Sequence, residues 1–154
     1  MGRLVTGDKV PNFSLPNERG RLISSKDLFG KRHIIYFYPA DDTPGCTTEA
    51  CQFTDLIGGF KKLRVPIYGV SPDDGPTHLA FIKKYSLGFS LLSDPSHSTM
   101  EKFGAYGEKT LYGKKMLGVI RSTFVIDAMG KIERVWYNVR ADGHAKKVIE
   151  FLEQ

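Results

Sequence analysis

Cysteine is nearly absent from this chain, with two residues among 154. Two thiols cannot build the multi-bridge framework of a small secreted domain, nor fill the four positions of a structural zinc site. The histidines His33, His78, His97 and His144 are dispersed, without ligand-like spacing to one another or to the cysteines. No metal site is therefore expected. Hydrophobic runs are short, and none approaches the roughly 20 apolar residues of a membrane-spanning helix. The opening MGRLVTGDKVP has no apolar core of the length a secretory signal needs. Met1-Gly2 followed by Thr6 formally fits a myristoylation pattern, but Arg3 follows directly and the match reads as coincidence. Long runs of one charge are also missing. The net charge of +5 comes from scattered doublets such as Lys31-Arg32, Lys61-Lys62 and Lys146-Lys147. These read as solvated surface rather than a nucleic-acid tail. The expectation is a cytoplasmic protein with no nucleic-acid or membrane partner. There, two cysteines point to chemistry more than to a staple.

What is present is an ordinary globular composition, 41% hydrophobic and 25% charged, in a chain long enough for one domain over 1–154. Short strand-like and helix-like patterns alternate, which indicates α/β architecture. Residues 12–15 and 21–24 suggest a small N-terminal hairpin. HIIYFY (33–38) is a continuous apolar run of strand length, as in a strand buried on both faces. Residues 65–70 and 119–126 read the same way, and 132–137 follows a turn signal at Met129-Gly130. Helical patterns fit 76–84, 98–103 and 143–152. Residues 105–116 are polar and contain glycine, and are expected to form a surface loop.

Both cysteines lie in PADDTPGCTTEAC (39–51). Thr43 is suited to cap a helix, and Pro44 then takes the first helical position, where its missing N–H costs nothing. Cys46, Ala50, Phe53, Ile57 and Phe60 recur at spacings of four, three, four and three, a helical stripe that Gly58-Gly59 weakens at its end. A central strand thus feeds a loop that delivers Cys46 to a helix N-terminus. Free N–H groups and the helix dipole there favour a thiolate, the nucleophilic form. The alternative is that Cys46 packs as a small apolar residue.

Cys51 bears on that choice. Five residues along an ideal helix give a rise of roughly 7.5 Å and a rotation of about 140°. The two Cα atoms then lie about 8–9 Å apart, whereas a disulfide wants them within about 7 Å. The pair can join only if the helix start unwinds, which suits a bond that forms and breaks. A thioredoxin-type C-x-x-C is absent, and nothing points to the nearby base of a cysteine hydrolase.

The segment YFYPADDTPGCTTEACQF resembles the active-site segment of the peroxiredoxins, with P-x-x-x-T-x-x-C at Pro39, Thr43 and Cys46. The second cysteine of CTTEAC resembles the Q-type subfamily, also called bacterioferritin comigratory protein. GVIRSTFVID (118–127) resembles the family strand that carries a catalytic arginine, here Arg121, and the N-terminal region is similar as well. The resemblance implies a thioredoxin-like fold: a central mixed sheet flanked by helices, with an N-terminal β-hairpin extension. It implies a thiol peroxidase acting on hydrogen peroxide and organic hydroperoxides, with no metal or organic cofactor. Cys46 matches the peroxidatic and Cys51 the resolving cysteine. Thr43 and Arg121 match the residues that hold thiolate and peroxide, Pro39 the proline that shields the pocket, and Glu49 a residue that orients the arginine. Without the resemblance, Glu49 reads as an exposed helix glutamate.

The implied cycle runs from thiolate to sulfenic acid on Cys46, then to an intramolecular disulfide with Cys51, then to reduction by thioredoxin or another dithiol. Resolution within one chain makes a monomer sufficient and leaves a dimer open. Competing readings are a peroxide sensor with the same disulfide, and a structural or metal-binding cysteine pair.

Overall fold

Short strands and short helices alternate through the computed structural model, which describes residues 3–154. The Met1-Gly2 pattern lies outside the described residues. In chain order the elements are β1 (Ser14–Pro16), β2 (Leu22–Ser24), α1 (Ser25–Leu28), β3 (His33–Phe37), α2 (Pro44–Asp55), α3 (Ile57–Lys62), β4 (Ile67–Ser71), α4 (Gly75–Tyr85), β5 (Ser90–Ser93), α5 (Ser98–Phe103), β6 (Tyr106–Leu111), β7 (Lys114–Val119), β8 (Ser122–Ile126), β9 (Ile132–Trp136) and α6 (His144–Leu152). The central sheet has the order β5-β4-β3-β8-β9. β3 pairs parallel with β4 and antiparallel with β8, so the sheet is mixed.

β3 is buried throughout because both its faces are covered. Successive side chains point to opposite faces of a strand. Ile34 and Tyr36, with Tyr38 just beyond, enter one core beside Cys46, Ala50 and Phe53 of α2 and the inner face of α6. Ile35 and Phe37 enter a second core with Val70, Met100, Phe103 and Phe124. In α6, Ala145, Val148, Ile149 and Leu152 are buried at helical spacing. The N-terminal hairpin pairs β1 with β2 as a separate two-stranded unit.

Four features differ from the sequence expectation. Residues 105–116 are not a loop: β6 and β7 pair in register from Tyr106↔Val119 to Leu111↔Lys114, around Tyr112-Gly113. Both turn residues have positive φ, 52° and 77°, as a two-residue hairpin turn requires. Most of β7 is exposed, so no buried face marked the strand in the sequence. Residues 119–126 do not form one strand either. The Ile120 N–H donates to the Ala105 carbonyl at 2.7 Å and closes the β6–β7 ribbon, and the central sheet resumes only at Ser122. Arg121 sits in that break. The strand β5, SLLS, was not anticipated, because its apolar content is only two leucines. The helical stripe from Cys46 to Phe60 is interrupted at Leu56, just ahead of the glycine pair, and gives α2 and α3.

Phe53 fixes the middle of α2 to the sheet. It is fully buried and stacks on Tyr36 with ring centroids 5.0 Å apart. Phe53→Ala is expected to cost about 3–5 kcal/mol in denaturant unfolding. A loss well under 1 kcal/mol, below any large-to-small core change of this kind, would show that the aromatic stack does not anchor the helix.

Candidate active site

The site begins where β3 leaves the sheet. The Tyr38 N–H still donates to the Val70 carbonyl at 3.0 Å, and then the chain turns through Pro39–Thr43 into α2. Two aspartates tie this turn to the neighbouring layer. The Asp41 N–H donates to Asp73 Oδ2 at 2.7 Å, and its carboxylate meets the Tyr38 hydroxyl and, at 2.7 Å, His78 Nδ1. His78 Nε2 lies 2.9 Å from the Leu92 carbonyl, which can only accept, so this nitrogen carries a proton. Asp42, with φ of 55°, accepts from Lys84 Nζ and the Tyr85 hydroxyl, each at 2.7 Å. Sequence reading missed these residues; the paired aspartates before Thr43 were the available signal.

Thr43 occupies the N-cap position with extended backbone, and Pro44 begins the helix. The expected side-chain cap is not made. The Thr43 hydroxyl instead donates back to the Ala40 carbonyl at 2.9 Å, so it tightens the turn and leaves its oxygen lone pairs free. Pro39 is half-buried in the same turn.

Cys46 is 2% exposed in the first turns of α2. Arg121 reaches it from the break between β7 and β8: Nη2 donates to Cys46 Sγ at 3.3 Å and Nη1 to Glu49 Oε1 at 2.8 Å. Gly45 eases this approach, since a Cβ there would stand a tight 3.2 Å from Arg121 Nη2 and push the guanidinium aside. Glu49 lies one turn beyond Cys46 on the same helix face and is completely buried, not exposed. Its Oε2 has no hydrogen-bonding partner among the described residues. Burial raises the Glu49 carboxyl to about 7, against the opposing pull of Arg121. Burial, with Glu49 and Cys46 close by, also pushes the Tyr36 phenol well above its usual range.

The structure therefore brings Cys46, Glu49 and Arg121 into direct contact, with Thr43 and Pro39 in the turn that leads to them. Cys51 stands apart on the same helix. Both thiols are free; Cys46 is buried and Cys51 half-buried, and burial followed by the charge of Asp55 raises the Cys51 thiol. α2 is continuous from Pro44 to Asp55, so the helical separation of the two cysteines stands. Among the described residues, no group of three His, Cys, Asp or Glu is placed to hold a metal, and no helix is long and apolar enough to cross a membrane.

A buried thiol held by a guanidinium at a helix start can be set against known proteins. The AhpC/TSA family pattern matches residues 6–135. The putative peroxiredoxin Bcp of Helicobacter pylori strain J99 is 47% identical over 152 residues, 99% of this chain and 100% of that protein. The chain belongs to the peroxiredoxin family, Q type. A cysteine-to-serine variant of Xylella fastidiosa PrxQ superposes with a TM-score of 0.91 at 30% identity, covering 99% of this chain and 98% of that one. A structure of Xanthomonas campestris bacterioferritin comigratory protein, concerned with its alkyl peroxide reduction activity, superposes with a TM-score of 0.86 at 36% identity. It covers 92% of this chain and 90% of that one. The fold is that of the thioredoxin-like peroxiredoxins, and family membership supports thiol peroxidase activity.

The two perturbed groups around this peroxiredoxin's Arg121 act oppositely on stability. Burial raises Glu49 from an ordinary 4.5 to about 7 in the folded chain, so its contribution is full below 4.5 and is lost as pH rises through 7. His144 is lowered from 6.5 to about 4 by burial, then by Lys147 and Arg121, so its contribution is full above 6.5 and is lost as pH falls. Glu49→Gln removes the first titration only. Its thermal midpoint is expected to fall more steeply than the wild type's from pH 7 to 5. Parallel curves would mean that Glu49 holds no proton in that window.

Proposed function

We propose that residues 1–154 work as one domain that reduces hydrogen peroxide and organic hydroperoxides, with Cys46 as peroxidatic and Cys51 as resolving cysteine. The observation that carries this reading is the Arg121 guanidinium, which touches the Cys46 sulfur and is itself fixed by Glu49. The Cys46 thiolate attacks one peroxide oxygen. The O–O bond breaks, the sulfur takes that oxygen as a sulfenic acid, and the other oxygen leaves as water or an alcohol once protonated.

Negative charge moves from sulfur to the leaving oxygen along the S–O–O axis. Arg121 supplies a permanently charged, planar set of donors on that path. The free N–H groups of the first turn of α2 add stabilisation without reorganisation. The Thr43 hydroxyl spends its proton on Ala40, so its role toward a peroxide is to accept from the O–H. Pro39 offers no N–H and helps exclude water. Glu49 acts through Arg121 and is a positioning residue.

In the second step the Cys51 thiol condenses with the sulfenic acid. An S–S bond forms, the S–O bond breaks and water leaves. α2 must unwind for this, and the TTEA stretch between the cysteines has two threonines of modest helix propensity. Thioredoxin or another dithiol then reduces the disulfide. Activity toward alkyl peroxides in the Xanthomonas campestris relative favours a substrate range that includes organic hydroperoxides.

One equivalent of hydrogen peroxide added to the reduced protein should consume both thiols and leave a Cys46–Cys51 link in the peptide map. Cys46→Ser should abolish turnover, and Cys51→Ser should reduce one peroxide and stop at the sulfenic acid. Normal turnover of Cys51→Ser with thioredoxin would falsify the resolving role. Arg121→Ala should slow the peroxide step by about 100-fold or more, as loss of a transition-state donor does. A rate within twofold of wild type would return Arg121 to a structural ion pair.

A further inference from the structure

The helix start that must unwind is fastened to the rest of the molecule at both ends. On its upstream side, Asp41 and Asp42 are held by His78, Asp73, Lys84 and Tyr85. On its downstream side is Gln52, the residue directly after Cys51. Its side-chain amide makes two hydrogen bonds to one short segment. Nε2 donates to Asp142 Oδ1 at 2.7 Å, and Oε1 accepts from the Gly143 N–H at 2.8 Å. That segment is itself part of the active-site frame. Gly143 is the N-cap of α6, the Val139 N–H donates to the Arg121 carbonyl at 2.9 Å, and His144 Nε2 meets Thr123 Oγ1 of β8 at 2.8 Å.

Between these fastenings run residues 43–51. Among the described residues, every side-chain hydrogen bond that leaves this stretch for another part of the chain ends on Arg121, from Cys46 and from Glu49. The hydroxyls of Thr43 and Thr48 bond only within the turn and helix, to Ala40 and Pro44. Beyond Gln52, Phe53 is locked in the core. Gln52 is thus the last polar contact that resists fraying of the helix through Cys51.

We propose that Gln52 is a positioning residue for the resolution step: its clamp on Asp142 and Gly143 holds α2 wound and limits how fast Cys51 reaches the Cys46 sulfenic acid. This rests on the reading of Cys51 as the resolving cysteine. While the clamp holds, the sulfenic acid stays longer beside Arg121 and is exposed to a second peroxide, which yields a sulfinic acid. Releasing the clamp shifts the partition toward the disulfide. The step needs no further reactant: Cys51 is oxidised, the Cys46 sulfur is reduced, and the hydroxyl leaves as water with the thiol proton.

The test follows wild type, Gln52→Ala and Asp142→Ala through a single turnover. Samples are quenched at intervals, and thiol, sulfenic, sulfinic and disulfide forms are separated by intact mass. The clamp predicts that the rate of disulfide formation rises at least about fivefold in Gln52→Ala, the lower end of the range expected for losing two hydrogen bonds. At fixed excess peroxide the sulfinic fraction falls by a similar factor. Asp142→Ala should act in the same direction, and the double variant should gain less than the product of the two.

A rescue separates the clamp from general loosening. Gln52→Glu places a carboxylate against Asp142 and should resolve fast. Adding Asp142→Asn to it restores a donor–acceptor pair and should return the rate toward wild type. A wild-type protein that never forms the Cys46–Cys51 disulfide would defeat the underlying function reading. A wild type that forms it, with Gln52→Ala resolving at the same rate or slower, would overturn the clamp alone. So would a paired variant as fast as Gln52→Glu.

Discussion

Arg121 touches the Cys46 sulfur with one nitrogen and the Glu49 carboxylate with another, and the surrounding architecture serves that double contact. The guanidinium needs room beside the helix start, and Gly45 leaves it. It needs a fixed origin, and the break between β7 and β8 supplies one, with the Arg121 carbonyl bound by Val139. It needs a counter-charge within a turn of the cysteine, and helical spacing puts Glu49 there. The arrangement has a cost. A buried carboxyl with an unpartnered oxygen is expensive to keep dry. Arg121 offsets part of that cost, so it is the burial of Glu49, and not its contact with the guanidinium, that weighs against the wound helix.

The turn before Cys46 shows how order is confined to where it is needed. Asp41 and Asp42 spend their carboxylates on His78, Lys84 and the tyrosines rather than on the helix itself. The turn is therefore pinned by contacts that do not depend on whether α2 is wound. On the far side, Phe53 stacks on Tyr36 and meets Phe60 at a tilt and Phe89 edge-on. Residues 43–51 thus lie between two anchored supports, the aspartate-pinned turn on one side and Phe53 in the core on the other.

Much of this was legible in the sequence. HIIYFY announced a strand buried on both sides, and PADDTPGCTTEAC announced a thiol at a helix start. Those signals survive because each element's chemistry is local: apolar runs for β3, and Thr-Pro at the head of α2. The β6–β7 ribbon was hidden because strand recognition relies on a buried face, and residues 114–117 are exposed on both. The arginine's place in a break between strands was hidden because Val119-Ile120 continue an apolar pattern across it. Glu49 is the instructive case. It lies three residues after Cys46 and four before Phe53, beside the apolar stripe, and the structure buries it with them. Its charge argued for the surface, and only the guanidinium from a distant segment reconciles the two.

The closed base of the β6–β7 ribbon has a further consequence. Because the Ile120 N–H is bonded to the Ala105 carbonyl, the chain enters and leaves the ribbon at a fixed gap, whatever lies beyond it. The tip at Tyr112-Gly113 is mechanically insulated from Arg121, only a few residues away in sequence. A change in the ribbon's length at its tip would leave that gap, and with it the point from which Arg121 sets out, where it is.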